Sequence, residues 1–210
     1  MKKLHFFLLA LLASMIGIYP LLYFVVDMSN EGLLGGKPPQ LFQNHLWHFL
    51  FYTHIALGGI ALLTGWSQFS EKLRKKRLNL HRNLGKIYVI SVLLSGIAGL
   101  YIALYATGGI ITILGFATLA VLWLFTTFKA YTAIQQKQIT AHQQWMIRSY
   151  ALTFGAVTLR IWLPFLQGVL GMTFINAYLI VAWLAWIPNL LFAEWLVRKD
   201  ELLEYGKKFD

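Results

Sequence analysis

Apolar residues run along this chain in about six long stretches, covering residues 4–26, 46–69, 87–107, 111–134, 149–172 and 173–197. Short polar connections separate them. At a rise of about 1.5 Å per residue, the ~20 residues needed to cross a ~30 Å hydrocarbon core are present in each. No water reaches that core, so every span must close its own backbone hydrogen bonds, which a helix does. The pattern therefore predicts an all-α fold: a six-helix transmembrane bundle forming one integral membrane domain over residues 1–210. The first stretch outruns the ~7–15-residue apolar core of a signal peptide, and no small-x-small cleavage site breaks it, so it reads as a retained anchor.

Composition sharpens this picture. The chain is 58% hydrophobic and 12% charged, which belongs to the membrane class. Cysteine is absent, so disulfides, thiolate metal sites and covalent haem attachment are excluded. The formal net charge of +10 is the kind of excess that elsewhere marks nucleic-acid binding, but its placement points to the membrane. Lys72, Arg74, Lys75, Lys76, Arg77, Arg82 and Lys86 share one short loop between the second and third spans. Lys2 and Lys3 precede the first span, Lys129 and Lys137 close the fourth, and Arg198, Lys199, Lys207 and Lys208 follow the sixth. The alternate connections hold only Lys37, beside Asp27 and Glu31. With an even number of helices all the basic loops fall on one face, as cytoplasmic loops do, so both termini are expected in the cytoplasm. There the basic run meets anionic lipids.

Residues 30–40 (Asn-Glu-Gly-Leu-Leu-Gly-Gly-Lys-Pro-Pro-Gln) form the one clear non-helical connector, placed to fold over the outer mouth of the bundle. No repeat or inverted half-to-half symmetry is evident, which weakens a transporter built on such repeats. Ser91, Ser95 and Gly99 make a small-residue stripe of the kind that marks close helix contact or clears a face for a flat ligand.

Polar residues inside the spans carry the functional signal, because each costs roughly 2.5–3.5 kcal/mol or more at mid-bilayer unless paired. Arg160 lies about eleven residues into the fifth span, ahead of Pro164, with no acidic residue at its depth. Its counter-charge is Asp27 reached by snorkelling, carbonyls freed by Pro164, or a bound anion. His54 sits at a matching depth in the second span, with Gly58 one turn away leaving room beside the ring. Either it is a hydrogen-bonded packing residue or it contacts a ligand. Tyr101 and Tyr105, near the outer end of the third span, complete this candidate ligand-binding group.

A second constellation lies towards the inner face. His81-Arg82 enters the third span, and His142 with Arg148 enters the fifth, at similar distances from their helices. Two opposed imidazoles suit an axial bis-histidine haem or a transition metal, and Arg82 and Arg148 suit propionate oxygens. The alternative is a set of solvated interfacial residues beside lipid-anchoring arginines.

The run His54…Gly58…Gly65-x-x-Gln68-Phe69, His81-Arg82-x-x-Gly85-x-x-Tyr88, His142-x-x-Trp145-Met146-x-Arg148-Ser149-Tyr150 and Leu159-Arg160 resembles the bacterial membrane family known as domain of unknown function 2306. The resemblance covers roughly residues 50–165. It implies a multi-pass protein of the bacterial cytoplasmic (inner) membrane, and no established reaction. A more distant architectural similarity, to transmembrane b-type cytochromes, suggests one non-covalent haem b held by His81 and His142, exchanging electrons with a quinone. His54 has no evident deep partner for a second haem. Two classes of function follow: an electron-transfer protein, or a non-redox binder or transporter of a lipid or small molecule centred on His54 and Arg160. A structural subunit of a larger complex is the third. Nothing in the chain resembles a hydrolase triad, a nucleotide loop or a carboxylate-rich metal site.

Overall fold

The computed structural model describes residues 3–26, 34 and 37–206. Among them, six helices are long and apolar enough to cross a membrane: α1 (Leu4–Leu21), α2 (His45–Phe69), α3 (Leu78–Ala103), α4 (Ile110–Gln135), α5 (Ile139–Gly168) and α6 (Phe174–Lys199). No strand is present among the described residues. α3 begins at Leu78 and α5 at Ile139, well before the expected starts at residues 87 and 149. Hydropathy marks the part of a helix inside hydrocarbon, while the backbone keeps bonding to itself where polar side chains reach the interface. His81 and His142 therefore sit within helices, not ahead of them.

α2, α3, α4 and α5 form the central ring, each packed on the next, with α2 and α5 touching to close it. α1 lies against α2 and the second half of α5, and α6 against α4 and α5. Between apolar helices in lipid, close approach needs small residues. A Cβ on Gly59 of α2 would sit 2.5 Å from the Gly17 carbonyl oxygen of α1, and one on Gly115 of α4 would sit 2.8 Å from the Ala182 carbonyl oxygen of α6.

Two helices break at mid-depth. α5 consists of Ile139–Thr153 and Gly155–Gly168, and α6 of Phe174–Leu184 followed by a helix from Ile187. In α6 the cause is Pro188, which has no N–H to continue the ladder and favours the first turn of a new helix. Carbonyls freed inside a membrane need donors. Asn189 Nδ2 supplies them, donating to Ala151 O at 3.3 Å and Ala185 O at 3.0 Å, and Thr158 Oγ1 also donates to Ala185 O. One amide therefore ties the two breaks together.

At the end opposite the basic loop, α3 and α4 are joined through Gly108 and Gly109, whose φ values of +98° and +73° suit only glycine. Leu34 of the connector is buried among Tyr23, Leu41 and Trp47. Lys37 Nζ donates to Tyr105 O at 2.6 Å, strapping the connector to the end of α3. Asp27 and most of residues 30–36 lie outside the described residues, so the expected Asp27–Arg160 pairing does too.

Candidate functional site

A cavity of about 220 Å³ opens in this half of the bundle. Its wall takes in His54 and Gly58 from α2, Gly99 and Ile102 from α3, Trp123 from α4, and Thr153, Ala156 and Arg160 from α5. Tyr23, Leu34 and Lys37 line it as well. His54 and Arg160, matched in depth by counting residues, thus face one space beneath the connector. Tyr101 and Tyr105 do not line it. Their hydroxyls meet each other at 3.2 Å, and the twist of α3 turns Ile102 and Ala103 inward instead.

The sequence fixes how His54 sits. Its Nδ1 lies 2.9 Å from the Ser95 carbonyl oxygen and 3.2 Å from Ser95 Oγ. A carbonyl only accepts, so Nδ1 carries the proton. Ser95 Oγ spends its own hydrogen on the His54 carbonyl oxygen at 2.9 Å. The ring lies flat on α3 because position 99 is glycine; a Cβ there would come within 2.9 Å of Nδ1. The stripe Ser91–Ser95–Gly99 is thus buried helix contact, and at Gly99 it is also the seat of the imidazole. Nε2 is left without a partner among the described residues.

Arg160 has a different set of neighbours from the expected ones. Its guanidinium lies over the Tyr19 ring, 4.7 Å from the centroid, and Nη1 donates to Ala156 O at 2.9 Å. Pro164 frees the carbonyl of Arg160 itself, not one that the guanidinium uses. Among the described residues no carboxylate pairs with it. The cavity wall contains no Asp or Glu among the described residues.

Next to this space lies a buried group of hydroxyls that sequence reading missed. Tyr88, Thr127, Ser149 and Thr153 are all buried. Trp123 Nε1 donates to Thr153 Oγ1 at 2.8 Å, which meets Tyr88 Oη at 2.8 Å. Tyr88 Oη meets Ser149 Oγ at 2.6 Å, and Ser149 Oγ meets Thr127 Oγ1 at 2.6 Å. Thr127 Oγ1 donates to Trp123 O at 2.8 Å. Run in that order, each hydroxyl gives one hydrogen and receives one. The run starts on the Trp123 indole N–H and ends on the Trp123 backbone carbonyl, and each bond along it polarises the next. It ties α3, α4 and α5 together beside the cavity.

The inner constellation comes together only in part. His81 and His142 are electrostatic neighbours. His142 Nδ1 lies 2.8 Å from Ala130 O, which directs Nε2 away from α4. His81 Nδ1 is buried with no protein partner. Arg148, expected to reach for a propionate, instead makes a bidentate pair with Glu194 of α6, at 2.5 and 2.9 Å, and stacks on Trp145. A planar guanidinium and a carboxylate match in two parallel hydrogen bonds, so Arg148 is a helix-joining residue. Arg82 is exposed and unpaired among the described residues. No group of three or more His, Cys, Asp or Glu able to hold a metal occurs among the described residues.

The chain belongs to the family described as Predicted membrane protein (DUF2306), whose model matches residues 51–197. No curated protein and no solved structure matches it. The match takes in α6, beyond the range over which the sequence motifs carry the resemblance. Several of those motif positions have packing reasons: Gly65 makes room for the rings of Tyr150 and Tyr88, and Gly85 for the Gln68 amide.

Proposed function

We propose that this DUF2306 member is a non-redox binding or carrier protein of the bacterial cytoplasmic membrane. It takes a small amphipathic molecule into the cavity between His54 and Arg160. One observation carries the reading: a desolvated guanidinium and an imidazole nitrogen share an apolar space, and among the described residues neither has a carboxylate partner there. A volume of about 220 Å³, below the ~300 Å³ at which drug-sized pockets begin, favours a compact ligand over a two-chain lipid. The basic end of the bundle is cytoplasmic in this reading, with both termini, and the connector faces outward; reporter fusions at Lys37 and Lys76 should fall on opposite sides. The natural absence of cysteine makes thiol access the direct test. Cysteine at Ala156, in the cavity wall, should react with a small water-soluble thiosulfonate added from outside. Cysteine at Val121, exposed on the outer surface of the bundle, should not. An unreactive Ala156→Cys protein that folds normally overturns the proposal.

The electron-transfer reading keeps one supporting observation. The Ala130 carbonyl holds His142 in the tautomer that presents Nε2, as a haem or metal ligand requires, with His81 close by. Haem b held there would supply one-electron chemistry, and Arg82 would be left as the cation for its propionates. An absorption spectrum of purified protein, in the native form and with His142→Ala, tests it. A reducible Soret band lost in the variant supports the reading, and its absence in the native protein sinks it.

A further inference from the structure

We infer that the molecule bound between His54 and Arg160 is a small organic anion that also carries a hydroxyl group. The inference rests on the binding role proposed above and names the ligand class. Arg160 and His54 ask for opposite things. Arg160 has donors to spare: among the described residues its hydrogen bond goes to Ala156 O, and the Tyr19 ring takes the face of the guanidinium and not its N–H groups. It needs an acceptor, best a negative one, because among the described residues no carboxylate lines the space. His54 asks for a donor. With Nδ1–H committed to Ser95 O, the neutral ring offers a lone pair at Nε2. Lys37, at the mouth, adds a second cation on the entry path.

This pairing discriminates. A cation meets Arg160 and Lys37 and is repelled. A quinone, with acceptors only, satisfies Arg160 and leaves His54 Nε2 unpaired, which a buried site penalises. A simple carboxylate does the same. A hydroxy-carboxylate satisfies both, and Tyr23, Trp47, Phe51 and Tyr178 in the wall accept a flat or short apolar body.

The test uses Ala156→Cys in full-length protein and measures how far added compounds slow its reaction with the thiosulfonate. The probes are benzoate, its three hydroxy isomers, and benzyl alcohol. At least one hydroxybenzoate should protect about tenfold better than benzoate, equivalent to ~1.4 kcal/mol, and benzyl alcohol should not protect. With His54→Phe added, the hydroxyl preference should vanish while benzoate still protects. With Arg160→Gln added, protection by every anion should be lost; Arg160→Lys, which keeps the charge, should retain part of it. Equal protection by benzyl alcohol, or no advantage for any hydroxy isomer, overturns the ligand class but leaves the cavity reading standing. Failure of Ala156→Cys to react removes both.

Discussion

The Arg160 guanidinium lies over the Tyr19 ring, its carbon 4.7 Å from the ring centre. The contact joins α5 to α1 at the depth of the cavity and stands where an ion pair would be expected. A cation over an aromatic ring gains ~2 kcal/mol when water is excluded, against ~0.5–1 when exposed. A double-mutant cycle of Tyr19→Leu and Arg160→Gln, read by unfolding in detergent, should therefore return a coupling of about 1–2 kcal/mol. Additive effects of the two substitutions would mean that the stacking contributes nothing.

Glycines on one helix should differ sharply in their tolerance of a methyl group. At Gly65 a Cβ would collide with the Tyr150 ring and sit 2.8 Å from the Tyr88 ring, and both rings are buried. At Gly58 the nearest atom is Ser95 Oγ at 3.4 Å, an ordinary contact. Gly65→Ala should cost about 1–3 kcal/mol through overpacking. Gly58→Ala should be neutral, or stabilise by up to ~1 kcal/mol through helix propensity. Thermal unfolding of the two variants side by side is the measurement, and equal losses would contradict the geometry.

These contrasts bear on what could be read in advance. The six spans were legible because bilayer thickness imposes a length on apolar runs, and the starts of α3 and α5 were not, because a helix continues where hydropathy stops. His54 and Arg160 were legible because ionisable side chains are rare and costly in hydrocarbon. The Tyr88–Ser149–Thr127 run was not. Thr53 and Thr64 spend their hydroxyls on carbonyls four residues back in their own helix, at 2.7 Å each, and nothing local in the sequence separates them from Thr127. Only the packing of α3, α4 and α5 reveals which hydroxyl works between helices. Arg148 shows the same limit, since its carboxylate lies 46 residues away on α6.

The buried run of hydroxyls makes a prediction of its own. Tyr88→Phe removes the phenol that bridges Thr153 and Ser149; Thr153 Oγ1 keeps the Ser149 carbonyl oxygen at 3.0 Å as an acceptor, and Ser149 Oγ loses one of its two hydroxyl partners. The expected loss is about 1–2 kcal/mol, the upper range for hydrogen bonds between membrane helices. Thr64→Val removes only a bond within one helix and should change stability by less than ~0.5 kcal/mol. Denaturant titration of both variants decides it; a Tyr88→Phe protein as stable as the parent would show that the run is dispensable.

Lys37 ties the cavity mouth to solution chemistry. Burial against the end of α3 lowers its pKa from the ordinary 10.5, because the charged amine is disfavoured there. The sign follows from linkage. With the docked value depressed, the seated connector carries a cost while Lys37 is charged, and that cost fades as pH rises through the docked pKa towards 10.5. Two outcomes are expected. The pH midpoint for modification of Lys37 by an amine-reactive ester, followed by mass spectrometry, should lie below 10.5. An organic anion held in the cavity stabilises the ammonium, so saturating hydroxybenzoate should move that midpoint back up. A midpoint at or above the ordinary value would mean that Lys37 does not seat against Tyr105. A depressed midpoint that no anion shifts would mean that the lysine anchors the connector without sensing what the cavity holds.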